Sequence, residues 1–253
     1  MAKDFSRIDE HIAKQKKDFK PACDIEKKVQ KQLKPLFEKF HPASSQFKLF
    51  EKYRKKMAEK LKKAQTFHND YNQLGKCLSD GVAMRSAIAE LSEEEISEED
   101  KKSEKRQRTF LYAVNYLLSV EAIGNLFVDY TILLLIGSGI DFHLEPDTNH
   151  RYTRHAKTLE DIESPFISMS IKLDFLSSNG LDFFSKWIDR GLRNKIAHLD
   201  FEIDQEGNFL AGKQKKKVDI ELKSNIFWSY FSCVAKIYLD ALKTARKAKK
   251  KKR

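Results

Sequence analysis

Hydrophobic residues recur at helical spacing through most of the first hundred residues. A short amphipathic stripe over residues 5–19 is followed by a second over residues 25–40, which Pro35 interrupts. From residue 50 to residue 78, apolar residues alternate in steps of three and four, which is typical of the seam of a coiled coil. The pattern predicts a helical N-terminal region, residues 1–108, whose long helix is a packing or dimerisation arm.

The second half of the chain has stronger and more varied patterns. The almost wholly apolar stretch 110–136 predicts a helix of about seven turns, and Gly137 is expected to end it. Three more helices are predicted, over residues 159–176 with a break around Pro165, over residues 181–199, and from about residue 224 onward. Residues 141–154 are expected to form a polar loop.

Alternating apolar residues at 201–210 and again at 218–222 predict a small β-hairpin between the last two helices. The stretch 91–108 switches from acidic to basic without apolar periodicity, so we place a domain boundary there. The predicted fold is mostly α, an N-terminal helical and partly coiled-coil region followed by a helical bundle with a small β-hairpin. Its parts are residues 1–108, 109–242 and a basic tail, 243–253.

The net charge of +11 is distributed unevenly. The basic tail has eight Lys and Arg residues among its eleven, with no acidic residue. Such a run is either a solvated helix end or a sequence-independent contact with phosphates. The cations of residues 48–63 leave the same two interpretations open, a solvated face of a packing helix or a track for nucleic acid.

Cysteine usage and hydropathy indicate the compartment. Cys23, Cys77 and Cys233 are scattered and form no disulfide or zinc pattern, which favours a reducing environment. No apolar stretch is long enough to cross a bilayer. A soluble, cytoplasmic protein without a membrane partner is expected.

The sequence contains no phosphate-binding, dinucleotide-binding or metalloprotease motif, so neither a cofactor nor a metal is predicted. The histidines at 143, 150 and 155 lie close together in the chain, but their spacing matches no familiar metal site.

A compact polar patch lies in the predicted helix 181–199. Arg190, Asn194 and His198 follow one another in steps of four and therefore share a helix face, with Arg193 and the small Ala197 beside them. Imidazole transfers protons near neutral pH, and guanidinium matches the geometry of phosphate oxygens. Without further context, His198 also suits a simple role at a helix C-terminus, where a cation is favourable.

The residues Arg193-Asn194-Lys195-Ile196-Ala197-His198 resemble the R-x4-6-H signature of HEPN domains, over roughly residues 109–242. HEPN domains are helical bundles, and many are ribonucleases of toxin–antitoxin, abortive-infection and CRISPR systems. The resemblance implies a metal-independent endoribonuclease, a hydrolase used in antiviral defence or as a toxin. It also implies RNA as the partner, a homodimer with the active site at its interface, and an antitoxin or defence partner. The catalytic candidates are His198 for proton transfer, Arg193 for transition-state stabilisation and Asn194 for orientation.

Further residues are candidates for supporting roles. Glu121, Asn125 and Asp129 recur every four residues in the apolar helix, where charges are rare unless they are paired. Because HEPN domains commonly place an acidic residue of an early helix against the motif arginine, the resemblance makes Glu121 or Asp129 the partner of Arg193 or Arg190; alternatively, the stripe faces water.

Arg190 could hold a neighbouring phosphate. The basic residues Lys215, Lys216 and Lys217, beside the predicted hairpin, are candidates for RNA binding or a solvated turn. The alternative function is a non-catalytic HEPN-type module that binds RNA or a protein.

Overall fold

The computed structural model describes residues 24–38, 40–41, 43–92, 97–144 and 154–250, and within these residues the protein is mostly helical. A π-helical turn, Val120–Gly124, joins two helices into one continuous element from Glu98 to Gly137. The helices are α1 (24–38), α2 (Ser45–Ser92), α3 (Glu98–Ser119), α4 (Asn125–Gly137), α5 (Leu159–Ile162), α6 (Met169–Ser178), α7 (Phe183–Trp187), α8 (Arg190–Ala197) and α9 (Ile220–Lys250).

The strands are short and form two antiparallel sheets. One sheet pairs β1 with β2, and the other has the order β3-β4-β5. Their bounds are β1 (Phe142–Leu144), β2 (Arg154–Ala156), β3 (Phe201–Ile203), β4 (Phe209–Ala211) and β5 (Lys216–Val218).

The continuous α3–α4 helix is the centre of the bundle. Helix α9 packs along α3, whereas α2, α5 and α6 pack around α4. The expectation that no apolar stretch is long enough to cross a membrane is wrong for the α3–α4 helix by length and composition, but 78% of its most apolar window is buried inside the protein. The burial is that of a core helix and is consistent with a soluble protein.

The coiled-coil-like seam of α2 is used within the chain as far as Tyr71, which packs against the core. Phe50, Met57 and Leu61 are buried in the same core as α4, whereas Leu74, further along the seam, is 49% exposed. Gly137 permits the close approach, because a Cβ added there would lie 2.5 Å from the Cα of Gln46. From Phe50 to Tyr71, the seam therefore packs α2 against its own chain.

The predicted region boundaries differ from the bounds of the helices in the structure. Helix α3 begins at Glu98, so residue 108 lies inside a helix rather than at its start. Apolar side chains of α1 and α2 belong to the same core cluster as those of the later helices. The stripe predicted over residues 5–19 and the last three residues of the basic tail lie outside the described residues, while residues 243–250 continue α9.

Three local predictions are wrong. The helix expected over 181–199 is divided into α7 and α8, since Asp189 caps a new helix. The strand expected at 218–222 ends at Val218, because the Asp219 carboxylate accepts the Leu222 N–H at 2.9 Å and starts α9. Residues at the two ends of the stretch expected to be a polar loop, 142–144 and 154, belong to the paired strands β1 and β2.

Candidate functional site

Helix α8 carries the motif, and Asp189 sets where it begins. The Asp189 carboxylate accepts the backbone N–H of Leu192 at 3.1 Å and pairs with Lys223 Nζ at 2.9 Å. Its own backbone N–H donates to the hydroxyl of Tyr116 at 3.0 Å. Burial works to raise the pKa of Asp189, but the Lys223 and Leu192 hydrogen bonds hold it below its usual value. Residues of α3 and α9 thus fix the first turn of the motif helix.

Arg193 is bound by a carboxylate from the π-helical turn. Its Nε donates to Glu121 Oε1 at 2.5 Å, and its Nη2 pairs with the same oxygen. The remaining Glu121 oxygen accepts from Asn125 Nδ2 at 3.3 Å. Both Arg193 and Glu121 are partly exposed, with 31% and 39% of their side chains accessible. The contact orients the guanidinium and leaves it reachable from solvent.

Asn194 lies next to this pair. Its Oδ1 accepts a hydrogen bond from Arg193 Nη1 at 2.8 Å, and its side chain is exposed. A guanidinium has five N–H donors, so Arg193 keeps donors for a phosphate beyond those given to Glu121 and Asn194.

His198 closes the C-terminus of α8. Its backbone N–H donates to Asn194 O at 2.9 Å, while its side chain is exposed and makes no hydrogen bond or ion pair with the residues that the structure describes. After it the chain turns in the left-handed conformation at Leu199, with φ of 55°. Asp200 N then bonds to Lys195 O at 2.7 Å and Leu199 N to Ile196 O at 3.1 Å, the bond pair of a Schellman motif. The imidazole is therefore presented to solvent at a firmly closed helix end.

Arg190 lies one turn before Asn194 and contacts α6. Its Nη1 donates to Ser170 Oγ and lies 3.3 Å from Asp174 Oδ2. With 42% of its side chain exposed, Arg190 can reach a ligand that lies along α8.

The structure distinguishes the two carboxylates that the sequence left open. Glu121 pairs with Arg193, as described above. The alternative prediction, that Asp129 pairs with Arg193 or Arg190, is wrong. Asp129 forms a buried ion pair with Lys172 of α6, with 2.7 Å between Nζ and Oδ1. The π-helical turn adds a residue to the helical repeat, which separates the directions of Glu121 and Asp129. Burial raises the pKa of Asp129 to about 6, against the opposing effect of Lys172.

The three candidate RNA-binding lysines lie at the end of the three-stranded sheet. Lys215 pairs with Glu202 at 2.8 Å, while Lys216 and Lys217 are exposed on the edge strand β5. The preceding turn approaches the motif helix, because a Cβ added at Gly212 would lie 3.2 Å from Lys195 Nζ. The Gly212 turn thus lies beside α8, and the three lysines follow this turn in the chain.

The histidine-rich stretch is only partly described. His143 and His155 are paired across β1 and β2 with ring centroids 4.4 Å apart, and Asp141 binds His155 Nδ1 at 2.9 Å. His150 lies outside the described residues. Among the residues that are described, no group of three or more His, Cys, Asp or Glu side chains could hold a metal ion.

Sequence reasoning missed the residues that hold the site in place. Tyr116, Asp189, Lys172 and Lys223 are unremarkable in the sequence, and their partners lie 34 to 73 residues away. One signal could have located the start of α8, since an Asp before a helical stretch is typical of an N-cap.

Comparison with models of protein families, with curated proteins and with solved structures found no match for this chain.

Proposed function

We propose that this protein is a metal-independent endoribonuclease of the HEPN type. The observation that supports it most is the arrangement on α8: a carboxylate-anchored Arg193, the adjacent Asn194 amide and the free imidazole of His198 within two helical turns. These are a phosphate-binding cation and a proton-transfer group five residues apart at the end of one short helix, and both are accessible to solvent.

The chemistry uses the RNA's own nucleophile. The ribose 2′-OH attacks the adjacent phosphorus, the 2′-O–P bond forms and the P–O5′ bond breaks. The products are a 2′,3′-cyclic phosphate and a 5′-hydroxyl end. Arg193 stabilises the negative charge of the phosphorane, while an imidazole takes the 2′-OH proton and another proton goes to the 5′ oxygen. Asn194, bonded to Arg193, orients the guanidinium or the scissile group.

A homodimer supplies the second proton-transfer group. Each chain has one motif, so a pair of α8 helices facing each other would bring two His198 imidazoles to one phosphodiester. The exposed positions Gly191 and Ala197 are small, which allows a second helix to approach closely. By the same resemblance, the cellular role is phage defence or a toxin, with an antitoxin or defence protein as a further partner, in the cytoplasm.

The test is RNA cleavage in excess EDTA by the wild type, Arg193→Ala and His198→Ala, each shown to be folded by circular dichroism. We expect cyclic-phosphate ends from the wild type and at least a hundredfold loss in both variants. Arg193→Lys, which keeps the charge and loses the fork, should retain only part of the rate. Equal cleavage by all chains would refute the assignment of the site.

A second function, binding of RNA without cleavage, is favoured by one feature of α2. Glu163 takes two cations of this helix, Lys56 and Lys60, each at 2.6 Å. Other lysines on the outer side of α2 are exposed and form no ion pair with any described residue: Lys48, Lys55, Lys62 and Lys63.

For a binder, Lys55→Gln with Lys62→Gln should weaken RNA binding and reduce the salt slope by about 1.4. Lys56→Gln is the matched control, because it removes one of the two lysines that pair with Glu163 and leaves the unpaired lysines unchanged. Strong RNA binding without any cleavage would select this second function.

A further inference from the structure

One aromatic side chain stands out on the surface near the motif. Phe166 is 84% exposed, more than any other large apolar side chain among the described residues. It lies between α5 and α6 in a turn that Ile167 N closes by bonding to Ser164 O at 3.0 Å. Pro165 stands at the second position of this turn, where its fixed φ is favourable, and Ile167 anchors the turn in the core. The ring is therefore held outward on a stiff support.

Cations lie on both sides of this turn. Three residues before Phe166, Glu163 binds Lys56 and Lys60 of α2. Four residues after it, Ser170 accepts from Arg190 of the motif helix. Four residues of chain span at most about 14 Å, so the ring lies within a few side-chain lengths of Arg190.

The surroundings of Phe166 are polar and charged, which suits a nucleotide better than an apolar protein surface. Ser164 and Ser168 lie on either side of the ring in the chain, and the charged groups around the turn are three cations, each paired with Glu163 or Asp174, and the carboxylates of Glu160 and Asp161 in α5. Arg190, with 42% of its side chain exposed, is the cation that belongs to the motif helix. Surfaces that bind single-stranded nucleic acid combine such cations with an aromatic ring on which a base stacks.

We infer that Phe166 is a base-stacking residue of the RNA site, which receives a base of the strand whose phosphate Arg190 contacts and whose scissile bond lies at His198. The inference rests on the proposed function for its substrate. It adds a binding position that does not depend on the identity of the base, because every base has an aromatic face. It also gives the strand a direction of approach, across the start of α6 toward the end of α8.

The test measures binding apart from cleavage. The full chain with His198→Ala is mixed with a short fluorescein-labelled single-stranded RNA, and anisotropy is recorded at several salt concentrations. Adding Phe166→Ala should weaken binding roughly 5- to 100-fold. The slope of log K against log salt should stay unchanged, because no charge is removed. Met84→Ala, another exposed apolar position at 67%, is the matched control and should bind as before.

A second variant keeps the ring. Phe166→Trp should bind at least as tightly as the parent chain, and its exposed indole should lose fluorescence when RNA is added. The native Trp187 and Trp228 are 1% and 8% exposed, so they contribute only a background fluorescence from buried indoles.

Equal RNA affinity with and without the Phe166 ring would overturn the inference while leaving the ribonuclease proposal intact. A loss of self-association in Phe166→Ala with unchanged RNA affinity, seen by sedimentation, would overturn it in favour of a protein contact. Conversely, ring-dependent binding by a wild type that never cleaves RNA would support the stacking and refute the chemistry.

Discussion

Gly124 and Ile188 touch where the motif helix is joined to the core. A Cβ added at Gly124 would lie 3.0 Å from Cδ1 of Ile188, tighter than an ordinary contact. Gly124 ends the π-helical turn that carries Glu121, and Ile188 directly precedes the Asp189 cap of α8. The missing side chain therefore sets how closely the carboxylate and the motif arginine can approach each other.

Gly124→Ala should lower the free energy of unfolding by about 0–2 kcal/mol, because overpacking the Ile188 contact costs about 1–3 kcal/mol and the higher helix propensity of alanine offsets about 1 kcal/mol of that. If the contact also positions α8, the cleavage rate should fall further than the unfolded fraction explains. Urea unfolding and cleavage under native conditions measure the two effects. Gly191→Ala, whose Cβ meets only Asp189 Oδ1 at an ordinary 3.5 Å, is the control and should not destabilise the chain.

Glu121→Gln should separate binding from catalysis. The glutamine amide lacks the negative charge with which Glu121 orients Arg193, so the cleavage rate should drop roughly 10- to 100-fold. RNA affinity should hold or rise, because a carboxylate near the phosphate site has been removed. Single-turnover rates and anisotropy on the same chains provide the comparison. A variant with unchanged rate would show that Arg193 needs no anchor.

Asp129 should give an unusual pH dependence. Its pKa is about 6 in the folded protein, above its ordinary value, so the folded state binds more protons than the unfolded state between about pH 4 and 6. Its contribution to stability is complete below about pH 4 and is lost, by about 3 kcal/mol, as the pH rises through 6. The urea midpoint of the wild type should therefore fall relative to that of Asp129→Asn as the pH rises from 4 to 7.

Asp189→Asn provides a control of opposite sign. The pKa of Asp189 is held below its usual value, so its contribution is present above about pH 4 and disappears as the pH falls through the folded value. Asn keeps the N-cap, which isolates the charge. A difference between wild type and Asp129→Asn that does not vary with pH would contradict the expected titration.

Leu199→Gly should stabilise the protein. Leu199 is in the left-handed region, which costs a residue with a Cβ about 1–2 kcal/mol, and its side chain is 79% exposed and contributes little packing. Allowing for the extra freedom of glycine in the unfolded chain, the net gain is about 0.5–1 kcal/mol. Thermal unfolding should show a higher Tm for Leu199→Gly and little change for Leu199→Ala. A lower Tm for the glycine variant would mean that the leucine side chain packs in solution.

Much of the helical architecture could be predicted from local pattern. The apolar stretch 110–136 lies inside the continuous helix that ends at Gly137, and the break around Pro165 separates α5 from α6. Such features depend on neighbours three or four residues away, so periodicity reports them directly. The errors occurred where one side chain decided the outcome, as when the Asp219 cap turned an alternating segment into the start of α9.

The sequence was sufficient to predict that Arg190, Asn194 and His198 share one face of a helix, with Arg193 beside them, since helical spacing gives this directly. It could not choose between Glu121 and Asp129, which repeat on one apparent stripe. Only the tertiary structure decided that choice, because a π-helical turn shifts the phase of the helix and Lys172, 43 residues from Asp129, neutralises it in the core. Pairing between distant charges follows from how helices pack, which is the sum of many weak contacts and has no local signature in the chain.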